Sequence, residues 1–234
     1  MKIAIIPARG GSKRIPRKNI KEFAGKPMIA HSIIAAQKSG LFDHILVSSE
    51  DDEILALAER YGATPLRRPS ELADDMTATI PVIRHAVLWA EKQNWSLEAA
   101  CCIYATAPFL RATDLIEGWR LLGANNSTFA FSATTFAFPV FRGMLREGGG
   151  VRMIFPEHFS TRSQDLPEAL HDAGQFYWGT PQAWKHEDRF FTKSATPVML
   201  PRHRVQDIDT IEDWKRAELM WSALGNQEAE AAQS

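Results

Sequence analysis

Long apolar runs and cysteines are scarce in this 234-residue chain. No apolar stretch approaches the roughly 18 residues that a membrane-spanning helix needs, and the apolar run that ends at Pro7 is too short for a secretory signal. The two cysteines, Cys101 and Cys102, are adjacent within an apolar run, which argues against a disulfide framework and favours a reducing compartment. We therefore expect a cytoplasmic protein with no membrane partner.

Excess charge is also absent. The chain has 27 Lys and Arg against 28 Asp and Glu, a formal net charge of -1, so no global basic field suggests a nucleic-acid partner. The length and the 45% hydrophobic content suit one domain spanning residues 1–234. The polar end of the chain, GNQEAEAAQS at 225–234, is expected to be a disordered tail.

Apolar runs and amphipathic segments alternate about five times through the first 135 residues. The runs KIAII (2–6), HILVSS (44–49), TPLRR, ACCIYAT (100–106) and TFAFSAT (128–134) predict strands, and the segments between them predict helices. Such alternation predicts an α/β fold with a doubly wound, mostly parallel sheet and helices on both faces. A strand near SATPVMLP and a last helix at 210–223 complete the prediction.

The alternation stops at residues 136–170, which hold several phenylalanines and the triplet Gly148-Gly149-Gly150. This pattern predicts a small β-rich inserted arm with the glycines in a hairpin turn. A small arm cannot bury so many aromatic rings by itself. Either the rings contact a second subunit or they pack on the parent sheet.

The first strand leads directly into a glycine-containing basic loop, ARGGSKRIPRKN. The loop lacks the Walker A and G-x-G-x-x-G patterns, but it follows the carboxyl end of a strand, where open α/β sheets bind ligands. Gly10 and Gly11 allow a close backbone approach to an anion. The cations suited to neutralise a triphosphate are Arg9, Lys13 and Lys18. Arg14 and Arg17 either add to this field or stay solvated, and the alternative for the whole loop is a flexible, solvated surface segment.

Near the carboxyl end, RVQDIDTIEDW places Asp207 and Asp209 two residues apart. In a strand, both carboxylates would project to one side and Ile208 to the other. Their mutual repulsion favours a cation between them, and Mg²⁺ binds one or two carboxylates together with phosphate oxygens. The alternative is local, with Asp209 or Thr210 capping the last helix.

Two further segments carry polar groups suited to a nucleotide and a sugar. RRPSELADDMTAT (67–79) delivers Arg68 and Thr79 from a strand end, and HDAGQFYWG (171–179) combines an amide with aromatic rings, a composition typical of sugar pockets. An ordinary surface loop and a structural His171 are the alternatives.

These motifs together resemble the acylneuraminate cytidylyltransferases, which activate nine-carbon acidic sugars. The resemblance rests on IIPARGGSK, the following Lys-Asn, RRPSELADD and the late D-x-D, and it spans nearly the whole chain. It implies a Rossmann-like nucleotidyltransferase fold and Mg²⁺-dependent transfer of CMP from CTP to the anomeric hydroxyl of a 2-keto sugar acid. SKRIPRKNIK and DAGQFYWG are most similar to the branch that acts on pseudaminic acid. One alternative is an enzyme that activates another acidic sugar, namely N-acetylneuraminic, legionaminic or 3-deoxy-octulosonic acid. The other is a non-catalytic CTP-binding module.

The same resemblance implies roles for individual residues. The implied CTP contacts are Ala8, Arg9, Gly10, Gly11, Ser12, Lys13, Lys18, Asn19, Arg68 and Thr79. The implied metal ligands are Asp207 and Asp209, which are grouped with Arg9 and Lys13 as catalytic. The implied sugar contacts are Tyr104, Gln175 and Tyr177, with Tyr104 standing where the sialic acid enzymes have glutamine. The resemblance also implies a homodimer, with the 136–170 arm reaching the neighbouring subunit.

Overall fold

A computed structural model describes residues 1–74, 76–124 and 127–231 of the chain. Its strands are β1 Lys2–Pro7, β2 Glu22–Phe23, β3 Lys26–Pro27, β4 His44–Ser49, β5 Thr64–Arg67, β6 Ala99–Ile103, β7 Phe129–Thr135, β8 Met144–Glu147, β9 Gly150–Met153, β10 Leu170–Gly179 and β11 Ala195–Met199. Its α-helices are α1 Met28–Ser39, α2 Asp52–Arg60, α3 Thr79–Lys92, α4 Ala112–Ala124, α5 Pro181–His186 and α6 Ile211–Ala231. The strand–helix alternation predicted for the first 135 residues is confirmed.

Seven strands form the central sheet, in the order β11-β7-β10-β6-β1-β4-β5. Every neighbouring pair is parallel except those of β10, which runs antiparallel to both β6 and β7. The prediction of a mostly parallel α/β sheet is therefore confirmed. Because β4 and β6 lie on opposite sides of β1, the chain leaves the sheet centre in two directions, and a crevice opens at the carboxyl end of β1.

Alternate residues of β1 feed the two faces of the sheet. Ala4 and Ile6 pack in one buried cluster with residues of α1, α2 and α4, whereas Ile3 and Ile5 pack in another with residues of α3 and α5. Both faces are thus covered by helices, which explains why the predicted strands appear as continuous apolar runs rather than alternating ones.

The 136–170 segment contains the predicted hairpin. Strands β8 and β9 pair antiparallel, and Gly148 and Gly149 at their turn have φ of 56° and 86°, the left-handed region that glycine adopts at little cost. Several apolar side chains of this segment remain exposed, including Phe138 at 84% and Phe159 at 76%.

The last helix is longer than predicted. The sequence indicated a helix ending at 223 and a disordered tail at 225–234, but the helical backbone of α6 continues to Ala231. Residues 232–234 lie outside the described part of the chain. None of the described helices is long and apolar enough to cross a membrane.

Candidate active site

A cleft opens where β1 and β6 end, and the basic loop forms one of its walls. Seven of the residues predicted to contact CTP line this cleft, which is called the nucleotide cleft after that prediction: Arg9, Ser12, Lys13, Lys18, Asn19, Arg68 and Thr79. Tyr104, predicted to contact the sugar, and Asp209, predicted to bind the metal, line the same cleft. The structure therefore brings together residues separated by up to 200 positions in the chain.

The basic loop is held in place by the segment that follows β4. Ala8 is buried and its amide donates to the Ser48 carbonyl at 3.0 Å, while Arg17 forms ion pairs with Asp51 and Glu53 at the start of α2. These pairs raise the pKa of Arg17, and the hydrogen bond from Arg17 is the main cause that lowers the pKa of Asp51. Arg17 is thus an anchor of the loop, whereas Arg14 lines the cleft.

The paired glycines are placed differently from the prediction. The Gly10 amide donates to Glu50 Oε1 at 2.6 Å, so it points at the protein rather than into the nucleotide cleft. Neither Gly10 nor Gly11 lines that cleft. Gly10 instead permits a close approach to Asp51, because a Cβ at this position would lie 2.5 Å from Asp51 Oδ2. The structure thus gives a reason for glycine at position 10, although not the one that the sequence indicated.

The segment that carries Asp207 and Asp209 is not a strand, contrary to the expectation from its pattern. Residues 205–209 are irregular and pair with no neighbouring strand, but Ile208 is still fully buried between two more accessible aspartates. Asp207 and Asp209 therefore remain accessible on either side of the buried Ile208 in the sequence. Thr210 and Asp213 cap α6 reciprocally, at 2.8 Å and 3.2 Å, which leaves Asp209 free of the capping role.

The carboxylate of Asp209 faces the basic loop. Lys18 Nζ lies 3.1 Å from its Oδ1 and Arg14 Nη2 lies 2.8 Å from its Oδ2. Asp207 lines a second cleft. Burial is the main cause that raises its pKa, and repulsion from Asp209 raises it further. The described residues include no group of three or more His, Cys, Asp or Glu positioned to hold a metal. Any cation at the pair would therefore need further oxygen ligands from a substrate or water.

Arg68 and Tyr104 form much of the remaining wall. Arg68 is 5% exposed and its Nη2 donates to the Ser48 carbonyl at 2.6 Å, and burial is the main cause that lowers its pKa. The Tyr104 hydroxyl lies 2.9 Å from Thr79 Oγ1. The chain turns immediately after β6, and this turn brings Tyr104 to the rim of the cleft.

Two of the three predicted sugar contacts lie inside the protein. Gln175 is 3% exposed and its Nε2 donates to the Arg204 carbonyl at 2.6 Å. Tyr177 is 1% exposed and its hydroxyl donates to Asp172 Oδ2. Neither residue lines the two clefts described here. Both belong to β10, whose central position in the sheet buries side chains on both of its faces.

The second cleft adjoins the Asp207 side of the aspartate pair. Its polar lining consists of Thr134, Thr135, His171, Asp172, Arg202, Gln206, Asp207 and Arg216. The sequence drew attention to His171 and Asp172, but nothing in their spacing distinguishes Arg202 and Arg216 from ordinary surface arginines. With Asp209 in the nucleotide cleft and Asp207 in this one, the aspartate pair stands at the junction of two polar clefts.

Comparison with known proteins identifies the family of this chain. The sequence profile of the cytidylyltransferase family matches residues 3–174, which is more than half of the chain. The pseudaminic acid cytidylyltransferase of Campylobacter jejuni serotype O:2 is 45% identical over 221 residues, covering 94% of this chain and 95% of that protein. The CMP-N,N'-diacetyllegionaminic acid synthase of Legionella pneumophila is 29% identical over 97% of this chain and 98% of its own length.

Among solved structures, CMP:2-keto-3-deoxy-manno-octonic acid synthetase complexed with CTP superposes with a TM-score of 0.69. The match covers 97% of this chain and 99% of that one at 14% identity, so it bears on the fold alone. It agrees with the predicted nucleotidyltransferase architecture. Since the profile covers most of the chain and close relatives align along nearly its whole length, the chain belongs to the cytidylyltransferase family.

Proposed function

We propose that this protein transfers CMP from CTP to the anomeric hydroxyl of pseudaminic acid, releasing pyrophosphate. The observation that carries the proposal is the junction of two polar clefts at Asp207 and Asp209, one lined by loop cations and the other by arginines. The 45% identity to an enzyme named for this reaction supports the choice of sugar.

In this proposal the nucleotide cleft binds CTP. Arg9, Ser12 and Lys13 contact the triphosphate, and their positive charge stabilises the negative charge that develops on the leaving pyrophosphate. Arg68 and Thr79, on the opposite wall, contact the base and the ribose. Asn19 acts indirectly, since its Nδ2 donates to the Arg9 carbonyl at 2.8 Å and so holds the loop.

The aspartate pair suits Mg²⁺. Its two carboxylates flank one buried side chain, and Asp209 already attracts two cationic groups at 2.8 and 3.1 Å. Mg²⁺ commonly uses one or two carboxylates and completes its shell with phosphate oxygens and water. When bound there by Asp207 and Asp209, it would supply electrostatic activation of the α-phosphate. Lys18, which also donates to the Ile208 carbonyl at 2.5 Å, fixes the backbone between the two carboxylates.

The second cleft suits the acceptor sugar acid. Arg202 and Arg216 line it, and an arginine recognises a carboxylate with two parallel hydrogen bonds. An acceptor held there would present its anomeric hydroxyl at the aspartate pair, next to the α-phosphate of CTP. Positioning of this kind can account for much of the rate enhancement in phosphoryl transfer.

The test is pyrophosphate release from CTP and Mg²⁺ with pseudaminic acid, beside N-acetylneuraminic, legionaminic and 3-deoxy-octulosonic acids. We expect turnover with pseudaminic acid and little with the others. Turnover only with another acid would retain the reaction but change the substrate. CTP binding with no pyrophosphate release for any acid would favour a non-catalytic CTP-binding module.

A variant test separates the metal assignment from the reaction. Asp209→Asn should lower kcat by at least about 100-fold, since it removes a charge that acts at the reacting phosphate. Glu212→Gln is the matched control, because Glu212 lies three residues away in the first turn of α6, is exposed and lines neither cleft. Near-normal turnover of Asp209→Asn at saturating Mg²⁺ would contradict the assignment.

We also propose that the protein acts as a homodimer joined through the 136–170 arm. The support is the exposed apolar surface of the arm, to which Phe138, Met144, Val151 and Phe159 contribute. The predicted cytoplasmic location remains a prediction.

A further inference from the structure

A row of polar side chains connects the two clefts through the interior of the protein. It starts at Thr79 in the nucleotide cleft, whose Oγ1 lies 2.9 Å from the Tyr104 hydroxyl. The Tyr104 and Tyr177 rings follow, with centroids 5.3 Å apart. The Tyr177 hydroxyl donates to Asp172 Oδ2, and Asp172 lines the second cleft.

Both phenols stay protonated and therefore able to donate. Burial is the main cause that raises the pKa of Tyr104 to about 12, and burial also raises the pKa of Tyr177 far above its usual range. At neutral pH, the Tyr177 hydroxyl therefore keeps its proton and donates a hydrogen bond to the exposed Asp172 carboxylate. Its ring cannot turn away easily, because it is 1% exposed and stacks on Phe190 with centroids 4.6 Å apart.

Asp172 is held from two directions. Tyr177 donates to Oδ2, and the Gly174 amide donates to Oδ1 at 2.8 Å. The pairing of β10 with β7 is interrupted between Asp172 and Tyr177, and Gly174 within this bulge has a φ of 62°. Bulges beside active sites typically redirect a side chain. Here the bulge brings the Asp172 carboxylate and the Tyr177 hydroxyl together, although they are five residues apart.

Each oxygen of Asp172 accepts one described hydrogen bond from the protein, and an ionised carboxylate has about four acceptor positions. Asp172 is exposed and lines the second cleft, so a molecule bound in that cleft can reach this carboxylate. We propose that Asp172 binds the acceptor sugar by accepting hydrogen bonds from its hydroxyl or acylamino N–H groups, and that Tyr177 is the positioning residue that orients this carboxylate. The inference rests on the proposed function, since it assigns the second cleft to the acceptor.

The experiment compares steady-state kinetics of four variants with CTP and pseudaminic acid. Tyr177→Phe keeps the buried ring but removes the donor, and we expect it to raise the KM for the sugar about tenfold while the KM for CTP changes less than about twofold. Asp172→Asn should raise the KM for the sugar at least as much. Tyr104→Phe removes the hydroxyl next to Thr79, and we expect it to affect the KM for CTP more than that for the sugar.

Tyr61→Phe is the matched control, because it makes the same change in the one other tyrosine of the sequence. Tyr61 packs against the opposite face of the sheet. It should leave both KM values unchanged. A purely structural role of Tyr177 would instead lower the thermal midpoint and change both KM values together, and this result would overturn the inference. Since Asp172 is exposed, Asp172→Asn is expected to fold even if Tyr177→Phe does not.

The outcome distinguishes this inference from the proposed function. If the wild type is active and neither Tyr177→Phe nor Asp172→Asn changes the KM for the sugar, the roles of Asp172 and Tyr177 are overturned but the proposed function is not. A wild type that releases no pyrophosphate with any of the four acids would overturn the proposed function, and the acceptor role of Asp172 with it.

Discussion

At the scale of single residues, Gly10 and Gly11 differ in the space around them. A Cβ on Gly10 would lie 2.5 Å from Asp51 Oδ2, whereas a Cβ on Gly11 would have nothing within 4 Å. Asp51 cannot yield readily, because it caps α2 and pairs with Arg17. We expect Gly10→Ala to lower stability by about 1–3 kcal/mol and to raise the KM for CTP several-fold. Chemical denaturation and CTP kinetics test this.

The matched control for that prediction is Gly11→Ala, which retains the backbone N–H and meets open space. It should behave like the wild type in both measurements. Equal effects of the two substitutions would show that backbone freedom, rather than the contact with Asp51, explains the paired glycines.

Lys13 offers a second test at this scale. It lies on the exposed part of the loop and lines the nucleotide cleft. In the proposed function it neutralises the triphosphate, so Lys13→Ala should raise the KM for CTP at least about tenfold and leave the KM for the sugar nearly unchanged. Lys193→Ala, at an exposed position outside the cleft, is the control. Unchanged CTP kinetics would remove Lys13 from the site.

Individual residues also show where inference from sequence stops. The nucleotide cleft contains seven of the ten residues predicted for CTP, because a strand followed by a glycine-rich basic loop has few alternative placements. Gln175 and Tyr177 were predicted to face the sugar but are buried. Their segment has a polar and aromatic composition, and composition alone does not reveal that the strand pairs on both edges.

At the scale of elements, one ion-pair cluster joins the basic loop to α2. The hydrogen bond from Arg17 is the largest cause that lowers the pKa of Asp51 from its ordinary 3.8. A carboxyl group with a lowered pKa contributes stability above its ordinary value, and this contribution is lost as the pH falls through the lowered one.

Arg17→Met should therefore be less stable than the wild type by about 0.5–1 kcal/mol near neutral pH, a modest figure because Arg17 is partly exposed. The difference should shrink as the pH falls below the ordinary value of 3.8 and through the lowered pKa at which Asp51 becomes protonated in the folded protein. Urea unfolding at pH 3 to 7 measures it, with Arg146→Met in the exposed hairpin as control. A difference that is independent of pH would contradict the assignment to this pair.

A buried ion pair holds the segment that precedes the two aspartates. Arg204 Nη1 lies 2.6 Å from Asp114 Oδ2, Arg204 Nη2 lies 2.9 Å from Asp114 Oδ1, and both side chains are nearly inaccessible. Removing one partner leaves a buried charge uncompensated, so Asp114→Ala should destabilise the protein by about 3–5 kcal/mol. It should also lower kcat, because Arg204 lies three residues before Asp207.

The control for that prediction lies on the same helix. Glu117 pairs with Arg120 on the surface of α4, and Glu117→Ala should leave the unfolding midpoint unchanged within error. A comparable loss in both variants would indicate that helix α4, rather than the buried pair, is responsible.

The helices and parallel strands were predictable, because each helix carries a periodic apolar pattern and each parallel strand a local apolar run. The segment at 205–209 was not. Its alternation of polar and apolar residues is that of a strand, and Ile208 is indeed buried between the aspartates. What replaces a strand partner is the Lys18 side chain, which donates to the Ile208 carbonyl from 190 residues away. Such long-range contacts leave no local pattern in the sequence.

At the scale of the whole molecule, the sheet order explains why both clefts meet at one place. The antiparallel β10 lies between β6 and β7, so it places the bulge at Asp172 beside the carboxyl end of β6. The alternation of strands and helices in the first 135 residues indicated the parallel strands. The placement of β10 between β6 and β7 depends instead on tertiary pairing, which leaves no local pattern. The second cleft was therefore outside what the sequence alone could predict.

The arm offers the test at this scale. Phe138 and Phe159 are 84% and 76% exposed, and covering them requires a partner surface. If that partner is a second copy, the wild type should sediment as a dimer at micromolar concentration. The double variant Phe138→Ser/Phe159→Ser should sediment as a monomer with an unchanged circular dichroism spectrum.

Phe191→Ser is the matched control for the arm, since Phe191 is 58% exposed but lies outside it. This variant should remain dimeric. A monomeric wild type, or a dimer that survives the double substitution, would exclude the arm as the dimer interface. If the double variant is monomeric and also loses activity while its CTP affinity is retained, then the second subunit contributes to the acceptor cleft rather than to the nucleotide cleft. That result is expected because the arm leaves β7 at Thr135, on the rim of the second cleft.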